Sequence, residues 1–193
     1  MHNDRNQELA LARCDAAFAF RLLEFSIRIE SFLSLGKLDF EAFGQEVTIL
    51  LESKNISFSD GYFSSKENSV QASSMSIGVA FGATAIALDN YFEVARGRRD
   101  ADSADPADAL WAIVYAVRNA FAHGIANPRW KISPQYRREF LIEHNGERVT
   151  VDLRNLDGRE FKYEQIGGVE NWYKLKRWAF ELLSMNYAGF LAR

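Results

Sequence analysis

The chain has 193 residues, 48% of them hydrophobic and 13% aromatic, with a formal net charge of -3. That length fits one domain with ample apolar material for a core, and the composition excludes a disordered chain. A net-acidic protein gives no global sign of nucleic-acid binding, so any such reading must rest on local clustering. Cys14 is the only cysteine, which excludes an internal disulfide and a cysteine-based zinc site within one chain.

The N-terminus, Met-His-Asn-Asp-Arg-Asn-Gln, lacks the basic-then-apolar layout of a secretion signal, and a cytoplasmic protein is expected. From Glu8 to Leu35 apolar residues recur every three or four positions. Leu11, Phe18, Leu22, Phe25, Ile29, Phe32 and Leu33 sketch one inward stripe, with Arg13, Arg21, Glu24 and Arg28 off it. Cys14 near that stripe reads as core filler, and Gly36 as the stop.

The spacing predicts a second helix from Asp39 to Ser53 with Phe40, Phe43, Val47, Leu50 and Leu51 inward. It then predicts a Ser-rich loop from Asn55 to Ser69, with Asp60-Gly61 as a turn. A third helix, Val70 to Arg96, is the most apolar and is expected at the centre of the fold. Its uncharged run Met75–Leu88 is fourteen residues, short of the ~20 that cross a bilayer, so no membrane association is expected. Gly78 and Gly82 within it allow another helix to approach closely.

Asp105-Pro106 marks a fourth helix start, Asp at the N-cap and Pro at the first helical position. Leu110, Trp111, Val114, Tyr115, Val117 and Phe121 line that helix. It should end near His123, before Gly124 and Asn127-Pro128. Phe140–His144 and Arg148–Leu153 are rich in β-formers, and Asn145-Gly146 between them is a strong hairpin signal. Phe161–Tyr163 is a candidate third strand. A last helix, Val169–Phe190, carries Trp172, Leu175, Trp178, Leu182 and Met185. The expected architecture is mainly α: a single domain over 1–193, a bundle of about five helices with a β-hairpin insertion at about 138–164 before the last helix.

Several chemistries lack their signatures. No glycine-rich phosphate loop follows a strand, and no Gly-x-Ser-x-Gly elbow exists. His2, His123 and His144 are scattered, and neither a metal nor a cofactor is expected. What remains is Arg118-Asn119-Ala120-Phe121-Ala122-His123 at the C-terminal end of the fourth helix. There the negative end of the helix dipole favours a protonated imidazole, suited to proton donation.

Between Ala109 and Arg138 there is no acidic residue, while Arg118, Arg129, Lys131, Arg137 and Arg138 fall within that stretch. A basic run in a net-acidic protein is the footprint of a phosphate-bearing partner. Trp130 and Tyr136 in the same run offer rings for stacking on unpaired bases. The plainer alternative is that the run solvates one face and Trp130 packs inside.

Arg118-Asn119 followed by His123, at a helix end in a helical domain, resembles the HEPN family, whose signature is Arg, four to six residues, then His, often with a polar residue after the Arg. The match covers Arg118 to Gly124. It implies that Arg118 and His123 are a catalytic pair with Asn119 as the polar neighbour, in a metal-independent endoribonuclease. It implies a homodimer with a composite site. It also implies a toxin or defence effector as the setting, with a protein antitoxin as partner in the toxin case. Some toxins of the family carry a modified Tyr two residues after the His; Ile125 stands there in this chain. The alternative is a non-catalytic HEPN-like module that binds RNA or protein. There Arg118 would pair with a carboxylate such as Asp89 or Glu93, and His123 would cap the helix carbonyls.

Overall fold

The computed structural model describes residues 2–59 and 61–191, with the side chains of 2, 3, 40 and 185–191 left aside. Among the described residues it has five α-helices: α1 (His2–Ser34), α2 (Phe40–Phe43), α3 (Lys66–Arg96), α4 (Pro106–Ala122) and α5 (Gly168–Leu191). Two antiparallel pairs accompany them, β1 (Val47–Leu50) with β2 (Asn55–Phe58) and β3 (Glu139–His144) with β4 (Glu147–Asp152). The mainly helical fold with a hairpin before the last helix is the architecture expected from sequence. The chain divides into two compact units, Met1–Ala19 with Phe81–Arg193, and Phe20–Ala80.

The first unit is built around α4, which is buried on nearly every side; Leu110, Ile113, Val114, Val117 and Ala120 are fully enclosed. Sequence apolarity pointed to α3 as the central helix. The difference lies in α4's small residues, Ala107, Ala112, Ala116 and Ala120, which let neighbours close on all faces. Gly82 on α3 does the same work, since a Cβ there would stand 3.0 Å from Phe121 Cδ1. Phe81 gathers an aromatic cluster, its ring centre 5.4 Å from Phe121, 4.9 Å from Tyr163 and 5.2 Å from Trp172. Trp172 donates to Thr84 Oγ1 at 2.7 Å, so the buried indole is satisfied. On α5 Trp172, Leu175 and Trp178 are buried as expected, whereas Leu182 is half-buried and its neighbour Leu183 is enclosed. Met185 lies outside the residues whose side chains are described.

By length and composition alone α3 would pass as a membrane-crossing helix, but Phe81, Ala85, Leu88, Tyr91 and Phe92 sit in the core of the first unit. The α1 stripe is corrected. Leu11, Phe18, Leu22, Phe25 and Phe32 are exposed, as is Cys14, and the buried positions are Ala12, Ala16, Phe20, Leu23 and Leu33. Both faces of α1 carry apolar residues, and the face that is buried begins on two alanines, which cost no side-chain entropy to enclose.

Gly36 ends α1 in the left-handed region at φ 65°, with Lys37 N–H donating back to Phe32 O at 2.8 Å. In the second unit the helix expected over Asp39–Ser53 is replaced by α2 and strand β1, and the expected loop contains β2. α2 closes on the turn Tyr62–Ser64, where a Cβ on Gly44 would run into the Ser64 side chain. The candidate strand Phe161–Tyr163 is reduced to one bridge between Arg129 and Glu160, followed by a 3-10 turn over Tyr163–Ile166.

Candidate active site

α4 positions the candidate site, and its start is firmly fixed. Asp105 Oδ1 accepts the Ala107 N–H at 2.8 Å with Pro106 at the first position. Arg96 then ties Asp105 and Asp108 at 2.8 and 3.0 Å. At the other end His123 is the C-cap residue. Gly124 has no left-handed backbone; the chain instead doubles back, and the Arg129 N–H donates to Ala120 O at 3.2 Å. That return bond satisfies a helix-end carbonyl and brings residues 129–131 alongside the end of α4.

The return places Lys131 Nζ 3.4 Å from His123 Nε2, both side chains being exposed. An ammonium has only donors to offer, so in that contact Nε2 can serve only as the acceptor.

Arg118 is half-buried, its side chain 42% exposed. Its NH1 donates to Asn119 Oδ1 at 3.0 Å, and its Nε lies 3.8 Å from Asp89 Oδ2. Asn119 therefore orients the arginine. Asp89 is the carboxylate named in the non-catalytic alternative, and the contact is long, at the limit of an ion pair. Burial pushes the Asp89 carboxyl above its usual range, against the pull of the Trp111 N–H, Arg99 and Arg118.

The remaining residues of the basic run divide sharply. Arg129 is exposed near the His123 end, with NH1 3.4 Å from Gly158 O. Trp130 is 2% exposed, packs on Phe161 and donates to Gln165 Oε1 at 2.7 Å. Tyr136 is likewise buried, so neither ring is presented to a base, and both correct the expectation of stacking. Arg137 binds Asp157 and Ile132 O. Arg138 reaches Ala101 O and lies 4.8 Å over the Phe140 ring. These two arginines hold loops together, and sequence could not separate them from their neighbours because charge alone does not report a partner. Among the described residues no three His, Cys, Asp or Glu side chains gather to hold a metal ion.

No family model matches this sequence, and no characterised protein or solved structure matches the chain.

Proposed function

We propose that the chain is a metal-independent endoribonuclease acting through Arg118 and His123, with Asn119 orienting Arg118. The observation that carries this reading is the open His123 ring at the end of α4, with Lys131 3.4 Å from Nε2 and, among the described residues, no carboxylate paired with it. A cation beside an imidazole suits an anionic substrate: a phosphate can draw Lys131 away and leave Nε2 free to take a proton. Arg118 supplies planar donors for the charge that builds on the phosphoryl oxygens.

The reaction balances without a cofactor. The RNA 2'-oxygen attacks the adjacent phosphorus as His123 takes its proton, and the bond from phosphorus to the 5'-oxygen breaks. That oxygen leaves with a proton from an acid, giving a cyclic phosphate and a 5'-hydroxyl end. One histidine cannot easily stand on both sides of an in-line displacement. A homodimer supplies the second, with the partner's His123 as the acid. Lys131 and Arg129 extend the phosphate contact. A toxin or defence effector in the cytoplasm, held by a protein antitoxin, is the setting this chemistry suits.

The second reading, a non-catalytic HEPN-like module that binds RNA or protein, is favoured by the contact between Arg118 and Asp89. Cleavage of a labelled single-stranded RNA in EDTA separates the two. The wild type should cleave, and His123→Ala should lose roughly a hundredfold or more of the rate. Absence of His123-dependent cleavage with a range of RNAs would sink the nuclease reading, and cleavage abolished by chelation would sink its mechanism.

A further inference from the structure

Asp89 sits on α3, 6% exposed, and collects three donors from other elements. Trp111 Nε1 donates to Oδ1 at 2.7 Å, Arg99 NH2 lies 3.6 Å from Oδ1, and Arg118 Nε lies 3.8 Å from Oδ2. Arg99 is held mostly by ring faces, its guanidinium carbon 3.6 Å from the Tyr115 ring centre and 4.8 Å from that of Trp111. Its Nε is buried with no hydrogen-bond partner. A buried donor left unmade is costly, so Arg99 occupies this place at an energetic penalty that some other interaction must offset.

Two guanidinium groups share one carboxylate, one at each oxygen, which leaves a net positive charge beside His123's helix. Asp89 touches Arg118 at Nε, and Asn119 holds NH1. NH2, common to both forks that a guanidinium can present, is the nitrogen that these contacts with the described residues leave for a phosphate. Were Asp89 not shared with Arg99, its attraction would fall wholly on Arg118.

We propose that Asp89 and Arg99 are positioning residues of the ribonuclease site: Asp89 fixes Arg118 at Nε, and Arg99 shares the Asp89 charge so that NH2 stays available to the scissile phosphodiester. This role rests on the nuclease reading above. Neither residue touches substrate. Asp89→Asn keeps an oxygen for Trp111 but removes the charge that orients Arg118, and Arg99→Gln removes the sharing cation.

The test is steady-state cleavage of a labelled single-stranded RNA by the full chain across pH, with melting temperatures recorded for each variant. Asp89→Asn should lower kcat about tenfold with KM within about twofold, because the lost contact orders the transition state more than the ground state. The groups facing Asp89 are Arg99, Arg118 and the Trp111 indole, with Glu93 one turn along its own helix. Protonation of Asp89 releases Arg118, so activity falls on the acid side. Removing the Arg99 charge makes that protonation easier, so the acid limb should move to higher pH in Arg99→Gln and return in Arg99→Lys. A structural role alone would lower stability without moving the limb. Wild-type cleavage left unchanged by both variants, or lost only in step with melting, overturns the positioning role alone. Failure of the wild type to cleave in a His123-dependent way overturns the nuclease reading and this role with it.

Discussion

The protein contains two antiparallel hairpins of similar size that are stabilised in opposite ways. β3 and β4 alternate strictly, with Phe140 opposite Val151 and Ile142 opposite Val149, all four buried. β1 and β2 also place apolar residues on one face, Val47 opposite Phe58 and Ile49 opposite Ile56. Every residue of both strands is nevertheless exposed. The first pair is tied to α5 at its tip, where His144 Nε2 meets Glu181 at 2.7 Å and Lys174 meets Glu147 at 3.3 Å. The second pair has a hydroxyl contact between Thr48 and Ser57 at 2.7 Å. Amphipathic alternation therefore specifies a strand pair, while the surface that buries its apolar face must come from elsewhere.

The largest expected contrast is a matched truncation. Ile142 is fully enclosed and Ile49 is 46% exposed. Ile142→Ala should cost about 2–5 kcal/mol by lost transfer energy and the cavity left behind. Ile49→Ala should change stability by less than about 1 kcal/mol, nearer the range of surface substitutions. Denaturant unfolding of both variants measures this. Equal losses would show that the β1–β2 face is covered in solution, and the comparison would break.

A smaller effect tests the turn. Asn145 and Gly146 both have positive φ, 51° and 76°, as a two-residue hairpin turn with right-handed strand twist requires. Gly146→Ala places a Cβ in that region and should cost about 1 kcal/mol, although space around it is open. The same unfolding measurement applies. No loss would mean that the strands, and not the turn, set the register of β3 and β4.

These hairpins also show what the sequence made legible. β3–β4 was readable because alternation and Asn-Gly coincide. β1 was not, because Phe40, Phe43, Val47, Leu50 and Leu51 fall at helical spacing, and the competing alternation of Val47, Ile49, Ile56 and Phe58 is split by an undiagnostic loop. Both limits of α4 were readable from Asp105-Pro106 and from Gly124 with Asn127-Pro128, whereas the exposure of His123 was not. The surroundings of Arg118 were legible only in part: Asp89 was one of two candidate partners, and Arg99 was not identified at all. Arg99 joins α3 to α4 through space, with no periodicity to report it. Trp130 stayed undecided between stacking and packing because a tryptophan in a basic run looks alike whether its ring faces water or Phe161.

The smallest expected effect depends on pH and should be felt in one hairpin alone. At the end of β4, Arg154 donates to Asp152 from its side chain and backbone, which holds the Asp152 carboxyl down at about 2, against an ordinary 3.8. A carboxyl depressed on folding contributes stability that is fully present above its unfolded value and is lost as pH falls through its folded value. The contribution of Asp152 should therefore persist above about pH 4 and vanish as pH approaches about 2. The site is fully exposed, so salt should weaken it. The hydroxyl contact between Thr48 and Ser57 does not titrate in this range, and exchange of the β1–β2 amides should follow only the intrinsic pH dependence. Amide exchange of β3–β4 in the wild type and in Asp152→Asn, followed through the acid range, measures the difference between them. A difference that stays constant down to about pH 2 would mean that the Arg154 contacts exist without stabilising the strand end, leaving burial and the ties to α5 as the distinctions between the two hairpins.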